Sequence, residues 1–169
     1  RAWGGARGSA EAQWVALEEE WGQPCAAIDE LMQLIGLQTV KKSVLALYAQ
    51  IQAERRYEES QRMPLGFNFC LLGNPGTGKT TVARILGRVL HELGVRASDT
   101  FTQTSAEELV RKGADEAAQA IEEAMGGVFV VDEAYMLEPD SSKEGRAILT
   151  QLLTVAEDRR TEISIILAG

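Results

Sequence analysis

Residues 67–81 read Phe67-Asn68-Phe69-Cys70-Leu71-Leu72-Gly73-Asn74-Pro75-Gly76-Thr77-Gly78-Lys79-Thr80-Thr81. A short apolar run stops at Gly73. A G-x-x-x-x-G-K-T pattern follows, with Gly73, Gly78, Lys79 and Thr80 at its fixed positions. Beyond it Val82, Ala83, Ile85, Leu86, Val89 and Leu90 recur at helical spacing. Strand, glycine loop, helix is the context that gives this pattern a mechanism, and it predicts one βα unit of a parallel α/β sheet.

The residue types explain themselves chemically. A triphosphate carries several negative charges and needs many donors at once. Gly73, Gly76 and Gly78 let the backbone curl so that its N–H groups converge, while Pro75 limits the loop's freedom. A helix beginning near Lys79 adds the positive end of its dipole. Lys79 supplies a full charge for the β- and γ-phosphates, and the Thr80 hydroxyl suits Mg²⁺. A chance glycine turn would not require the strand before it or the helix after it.

A second stretch has the same logic. Residues 128–133 read Val128-Phe129-Val130-Val131-Asp132-Glu133. Four apolar residues in succession predict a strand buried on both faces. Ligands of open parallel sheets bind at the carboxyl ends of the strands. Asp132 and Glu133 are therefore expected at the same end of the sheet as Gly73. There Asp132 would hold Mg²⁺ and Glu133 would orient and polarise an attacking water. An acidic pair merely opening a loop is common; its pairing with the glycine loop upstream is what favours the functional reading.

The remaining elements follow in order. Residues 9–21 predict a short helix capped by Ser9, with Trp14, Leu17 and Trp21 on one stripe. Gly22 and Pro24 break it. Residues 26–35 form a second helix. Residues 38–60 form a long amphipathic one, with Val40, Val44, Leu47, Tyr48 and Ile51 apolar. Residues 100–104 read as a second strand, and Ser105 with Glu108 as a capping box. A helical stretch follows, interrupted near Gly113. Residues 134–144 are a loop, 144–156 a helix and 163–167 a last buried strand. Strands alternating with helices make a P-loop α/β/α architecture with a mainly parallel sheet. Residues 1–25 are expected to be an N-terminal extension and 26–169 the nucleotide-binding core.

Composition excludes several functions. The chain of 169 residues is long enough for one real core. Its net charge of −8, from 17 basic and 25 acidic residues, argues against non-specific nucleic-acid binding, and no specific nucleic-acid partner is expected. No run approaches the ~18 apolar residues of a membrane span. Cys25 and Cys70 have no metal-ligand spacing, and Cys70 is expected to be buried in its strand. A reducing compartment, the cytoplasm or an organellar stroma or matrix, fits better than secretion.

Taken together, residues 34–37 (Leu34-Ile35-Gly36-Leu37) with Val40 and Lys41, residues 73–84, Ala124-Met125-Gly126-Gly127-Val128 with Asp132-Glu133-Ala134-Tyr135, and residues 165–169 resemble the AAA+ ATPases of the CbxX/CfqX group. The resemblance runs from about Leu31 to Gly169. It implies ATP hydrolysis to ADP and phosphate, and remodelling of a protein partner by a homo- or hetero-hexameric ring. It further implies adenine contacts from Ile35, Gly36 and Leu37, and phosphate and Mg²⁺ contacts from Asn74, Pro75, Gly76, Thr77, Gly78, Lys79, Thr80 and Thr81. Asp132 would be the metal ligand, with Glu133 and Lys79 catalytic. The group carries a pore loop with an aromatic residue after the second strand. Here Val110-Arg111-Lys112-Gly113-Ala114-Asp115-Glu116-Ala117 is shorter and has none. Arg111 and Lys112 would grip an acidic partner instead, or the pore function is lost. The arginine finger, lid and sensor 2 of the group would lie beyond Gly169, so this chain alone is expected to be a weak ATPase. The alternative is a nucleotide-dependent assembly scaffold with little turnover. A small-molecule kinase fits less well, since Asp132-Glu133 is followed by Ala134-Tyr135.

Overall fold

The computed structural model describes residues 8–138, 140 and 142–169. The chain forms two compact units, one through Met63 and the other Pro64–Gly169.

The first unit is helical. Helix α1 (Ala10–Trp21) is capped by Ser9, whose Oγ accepts from the Ala12 N–H at 3.3 Å, and ends at Gly22 in the left-handed region. Trp14 and Leu17 are buried as the stripe predicts. Trp14 stands edge-on to Tyr48 at 5.0 Å and donates its Nε1–H to Asp29 at 2.7 Å. Trp21 is only half-buried, with the Arg56 guanidinium 3.8 Å over its ring. Helix α2 (Ala26–Gln33) stops two residues earlier than expected, because Leu34 turns extended and Gly36 and Leu37 take positive φ of 76° and 55°. Helix α3 (Gln38–Arg55) is likewise shorter than its pattern, and a 3₁₀ turn (Glu59–Gln61) takes up part of the charged tail. Helix α1 packs on α3 within the unit that runs through Met63.

The second unit is a parallel sheet between helices. It comprises β1 (Phe69–Leu71), α4 (Lys79–Glu92), β2 (Phe101–Ser105), α5 (Ala106–Lys112), α6 (Ala114–Glu123), β3 (Val128–Asp132), α7 (Lys143–Asp158) and β4 (Ser164–Ala168). The strand order is β1-β4-β3-β2, every pair parallel. Strand β3 is covered by helices on both faces, which explains its uninterrupted apolar run. Its Phe129 and Val131, with Ile165 of β4, face Leu109, Ile121, Ile148 and Leu152 of α5, α6 and α7. Burying one such side chain contributes about 1.5–3 kcal/mol, more than the roughly 1 kcal/mol of a typical hydrogen bond. Helix α4 covers the other face: a methyl at Gly87 would meet Val128 at 3.3 Å and Phe101 at 3.6 Å.

Several expectations shift. Cys70 is exposed, not buried, because β1 lies at an edge of the four-stranded sheet. The Ser105 cap forms, its Oγ accepting from the Glu108 N–H at 3.1 Å, while the Glu108 carboxylate accepts from the Thr104 hydroxyl. The expected loop after β3 opens with a 3₁₀ turn (Ala134–Leu137). Pro139 of that loop lies outside the described residues.

One polar residue was not anticipated. Arg96, between α4 and β2, is 2 % exposed. Its five N–H groups reach Ser164 Oγ and the carbonyls of Val95, Arg160, Thr161 and Ile163 at 2.8–3.1 Å. Burial pushes its pKa down to about 10. The guanidinium thereby fixes the turn that leads α7 into β4.

Candidate functional site

The glycine loop lies between the end of β1 and the first turn of α4. Two of its positions require glycine: Gly76 and Gly78 have φ of 77° and 85°. Gly78 is also the N-cap of α4 and has no side chain to cap it. The first-turn N–H groups are thus left for an external acceptor, which suits an anion. The loop is braced from within. Thr77 Oγ1 donates to the Asn74 carbonyl at 2.7 Å, and Lys79 Nζ donates to the carbonyls of Gly73 and Asn74 at 2.7 and 3.0 Å. It is braced from the sheet as well, since the Gly73 N–H donates to the Gly169 carbonyl at 3.1 Å and the Gly169 N–H to Leu71 at 3.0 Å.

Strand β3 ends beside this loop. A cavity of about 580 Å³ is lined by Gly73, Pro75, Gly76, Gly78, Lys79 and Thr80 together with Asp132 and Glu133. The two stretches distant in sequence therefore meet, as strand ends of one parallel sheet should. Asp132 is half-buried and Glu133 exposed. Glu133 holds φ 52° and ψ 37°, a left-handed backbone that costs a residue with a Cβ about 1–2 kcal/mol. Non-glycine residues in this region cluster at active sites.

Not every expected residue lines the cavity. Asn74 and Thr77 shape the loop through the hydrogen bond between them, and Thr81 is exposed in the first turn of α4. Ile35, Gly36 and Leu37 belong to the first unit, where they form the turn between α2 and α3. Ile35 is fully exposed. Lys41, itself 2 % exposed, fastens this turn: its Nζ donates to the carbonyls of Met32 and Leu34 at 3.0 and 2.7 Å and to Glu11 Oε1 at 2.6 Å. Conversely, the cavity lining includes Ser105 and Tyr135, which sequence reasoning did not place in the site. Ser105 was legible only as a helix cap. Tyr135, 66 % exposed, follows the acidic pair closely in sequence, and that spacing was the signal that could have found it.

The donor set suits a hard divalent cation. Thr80 offers a hydroxyl and Asp132 a carboxylate, both oxygen donors in the lining of one cavity. Mg²⁺ is commonly held by one or two such groups, with substrate phosphates and waters completing its shell. Without a cation, Asp132 and Glu133 would repel phosphates; with one, the acidic wall becomes complementary to them.

Comparisons with known proteins agree with this geometry. Residues 69–169 match the family described as "ATPase family associated with various cellular activities (AAA)". The chain is 36 % identical to the chloroplastic ribulose bisphosphate carboxylase/oxygenase activase of Cyanidioschyzon merolae, over 93 % of this chain and 57 % of that protein. It is 35 % identical to the chromosomal protein CbxX of Cupriavidus necator, over 81 % of this chain and 46 % of the relative. Among solved structures it superposes on RuvB of Thermotoga maritima with a TM-score of 0.55 at 27 % identity, covering 82 % of this chain and 40 % of that one. The chain spans about half the length of these curated relatives. With the glycine loop and the Asp132-Glu133 strand facing one cavity, these matches show that the chain belongs to the AAA family of ATPases and, within it, to the CbxX/CfqX group.

Proposed function

We propose that residues 26–169 act as an ATP-binding and ATP-hydrolysing AAA+ core that serves to remodel a protein partner within a ring oligomer. The observation that carries the catalytic part is the gathering of Lys79 and Thr80 with Asp132 and Glu133 around one cavity. The ring and the protein partner rest on the family resemblance.

In this reading the loop amides and the α4 N-terminus cradle the phosphates, with Asn74, Pro75, Gly76, Thr77, Gly78 and Thr81 setting the loop's shape. Lys79 leaves the Gly73 and Asn74 carbonyls to meet the β- and γ-phosphates. Thr80 and Asp132 would hold Mg²⁺, which would neutralise charge on the transferred phosphoryl group. Glu133 accepts a proton from the attacking water and orients it. Ile35, Gly36 and Leu37 are proposed as adenine contacts. ATP turnover by this chain alone should be slow, because transition-state charge in such sites is commonly met by an arginine supplied from elsewhere.

Steady-state phosphate release and ATP-binding measurements on wild type, Lys79→Ala and Glu133→Gln test the reading. Lys79→Ala should weaken ATP binding about 10-fold or more, the loss of a charge-assisted contact. Glu133→Gln should bind ATP yet fail to turn it over. Equal hydrolysis by wild type and Glu133→Gln would sink the proposal.

One observation favours the second reading, an assembly scaffold. Helices α5 and α6 are joined by Gly113 alone, so the stretch expected to carry a pore loop is helix on both sides. A scaffold needs ATP binding but little turnover. Under it, Lys79→Ala abolishes assembly while Glu133→Gln assembles and functions normally.

A further inference from the structure

Strand β2 contributes more to the site than Ser105. Its register pairs Gln103 with Val130 and Ser105 with Asp132. Registered neighbours share a face, and so do alternate residues along one strand. Phe101, Gln103 and Ser105 therefore lie on the same face as Val128, Val130 and Asp132. This is the face covered by α4: Arg84 stacks 4.3 Å over Phe101, and Gly87 packs against Val128 and Phe101. The first turn of that same helix carries Thr80. Gln103, exposed on this edge strand, sits one pleat before Ser105 of the cavity lining, and its Nε2 donates to Asp132 Oδ2 at 3.2 Å. A carboxylate held through one oxygen keeps the other free for a cation or its water.

We propose that Gln103 is a positioning residue for the cation site: it orients the Asp132 carboxylate toward the divalent metal that accompanies the nucleotide. The proposal rests on Asp132 being the metal ligand. The bland alternative is a solvated polar residue on an edge strand. Outer-shell partners of metal-ligating carboxylates typically contribute 10–100-fold to metal affinity. Because the Gln103 amide is neutral and bonds the carboxylate, its effect should appear in metal binding and not in metal-free nucleotide binding.

The test uses Mn²⁺ as probe, titrated by electron paramagnetic resonance into the full chain loaded with adenylyl imidodiphosphate. Nucleotide affinity is measured separately in excess chelator. Gln103→Met keeps the side-chain length and removes the donor. It should weaken Mn²⁺ binding about 10-fold, with metal-free nucleotide affinity unchanged. Asp132→Asn should weaken Mn²⁺ binding at least as much, and adding Gln103→Met to it should have no further effect, since residues acting in series are not additive. Unchanged Mn²⁺ affinity in Gln103→Met beside a loss in Asp132→Asn overturns the proposal and leaves the metal reading standing. Parallel loss of nucleotide and Mn²⁺ binding assigns Gln103 a merely structural role, and additive losses in the double variant uncouple it from Asp132. No change in either single variant overturns the assignment of Asp132 itself, and the proposal with it.

Discussion

Lys41 and Glu11 meet at 2.6 Å, and the ammonium that makes this contact is buried while the carboxylate is 40 % exposed. One end of the pair is therefore committed to the interior and the other to solvent. The same ammonium fastens the carbonyls of Met32 and Leu34, so a helix that sequence reading set aside as an extension supports the turn carrying Ile35.

The pair makes the first unit acid-sensitive. The Lys41 ammonium, aided by the Glu11 N–H and the Ser9 hydroxyl, holds the Glu11 carboxyl down from its ordinary 4.5 to about 2. A depressed folded-state pKa adds stability that is fully present above 4.5 and is lost as pH falls toward 2. Melting temperature followed across that window should fall more steeply for wild type than for Glu11→Gln. Because Glu11 is partly exposed, the difference should shrink in high salt. Parallel curves for the two proteins would remove the pair from the account.

Arg96 should be a stability residue without direct effect on nucleotide binding. Arg96→Met strands four backbone carbonyls and the Ser164 hydroxyl, at a cost on the order of 3 kcal/mol. Arg96→Lys should rescue little, since an ammonium cannot reproduce a planar five-donor fork. Denaturant melts of both variants check this; near-wild-type stability of Arg96→Lys would show that charge alone matters there.

Cysteine reactivity reports the edge position of β1. Native protein should take up a thiol reagent readily at Cys70 and slowly at Cys25, which is 1 % exposed. Mass spectrometry after brief labelling should show one adduct, absent from Cys70→Ser. Rapid double labelling would mean that Cys25 is not protected by α2 and α3.

The sequence was most legible where local chemistry and global topology coincide. The glycine loop must curl at Gly76 and Gly78 whatever surrounds it, so its place and shape could be read from residue types. Strand β3 announced itself because a strand covered by helices on both faces has no polar face. Element ends were less legible: α2 stops at Gln33 because Gly36 and Leu37 reverse the chain, and apolar periodicity carries no information about φ. Cys70 was misread because an apolar strand looks the same at an edge as in the middle; its neighbours are settled only by which strands pair. Arg96 and Gln103 left no pattern at all. Their partners lie far along the chain, and only the folded sheet brings them within hydrogen-bond reach.

The left-handed backbone at Glu133 carries one more consequence. A side chain there sits in a conformation that only glycine adopts without penalty, and the neighbouring fold compels it to do so. Glu133→Gly should therefore melt higher than wild type, by an amount set by about 1 kcal/mol of relieved strain, offset in part by the greater freedom glycine has when unfolded. The same change deletes the carboxylate proposed as the base. Thermal robustness and turnover are thus set against each other at a single position, and screening for hardier variants of this chain would tend to select against its chemistry.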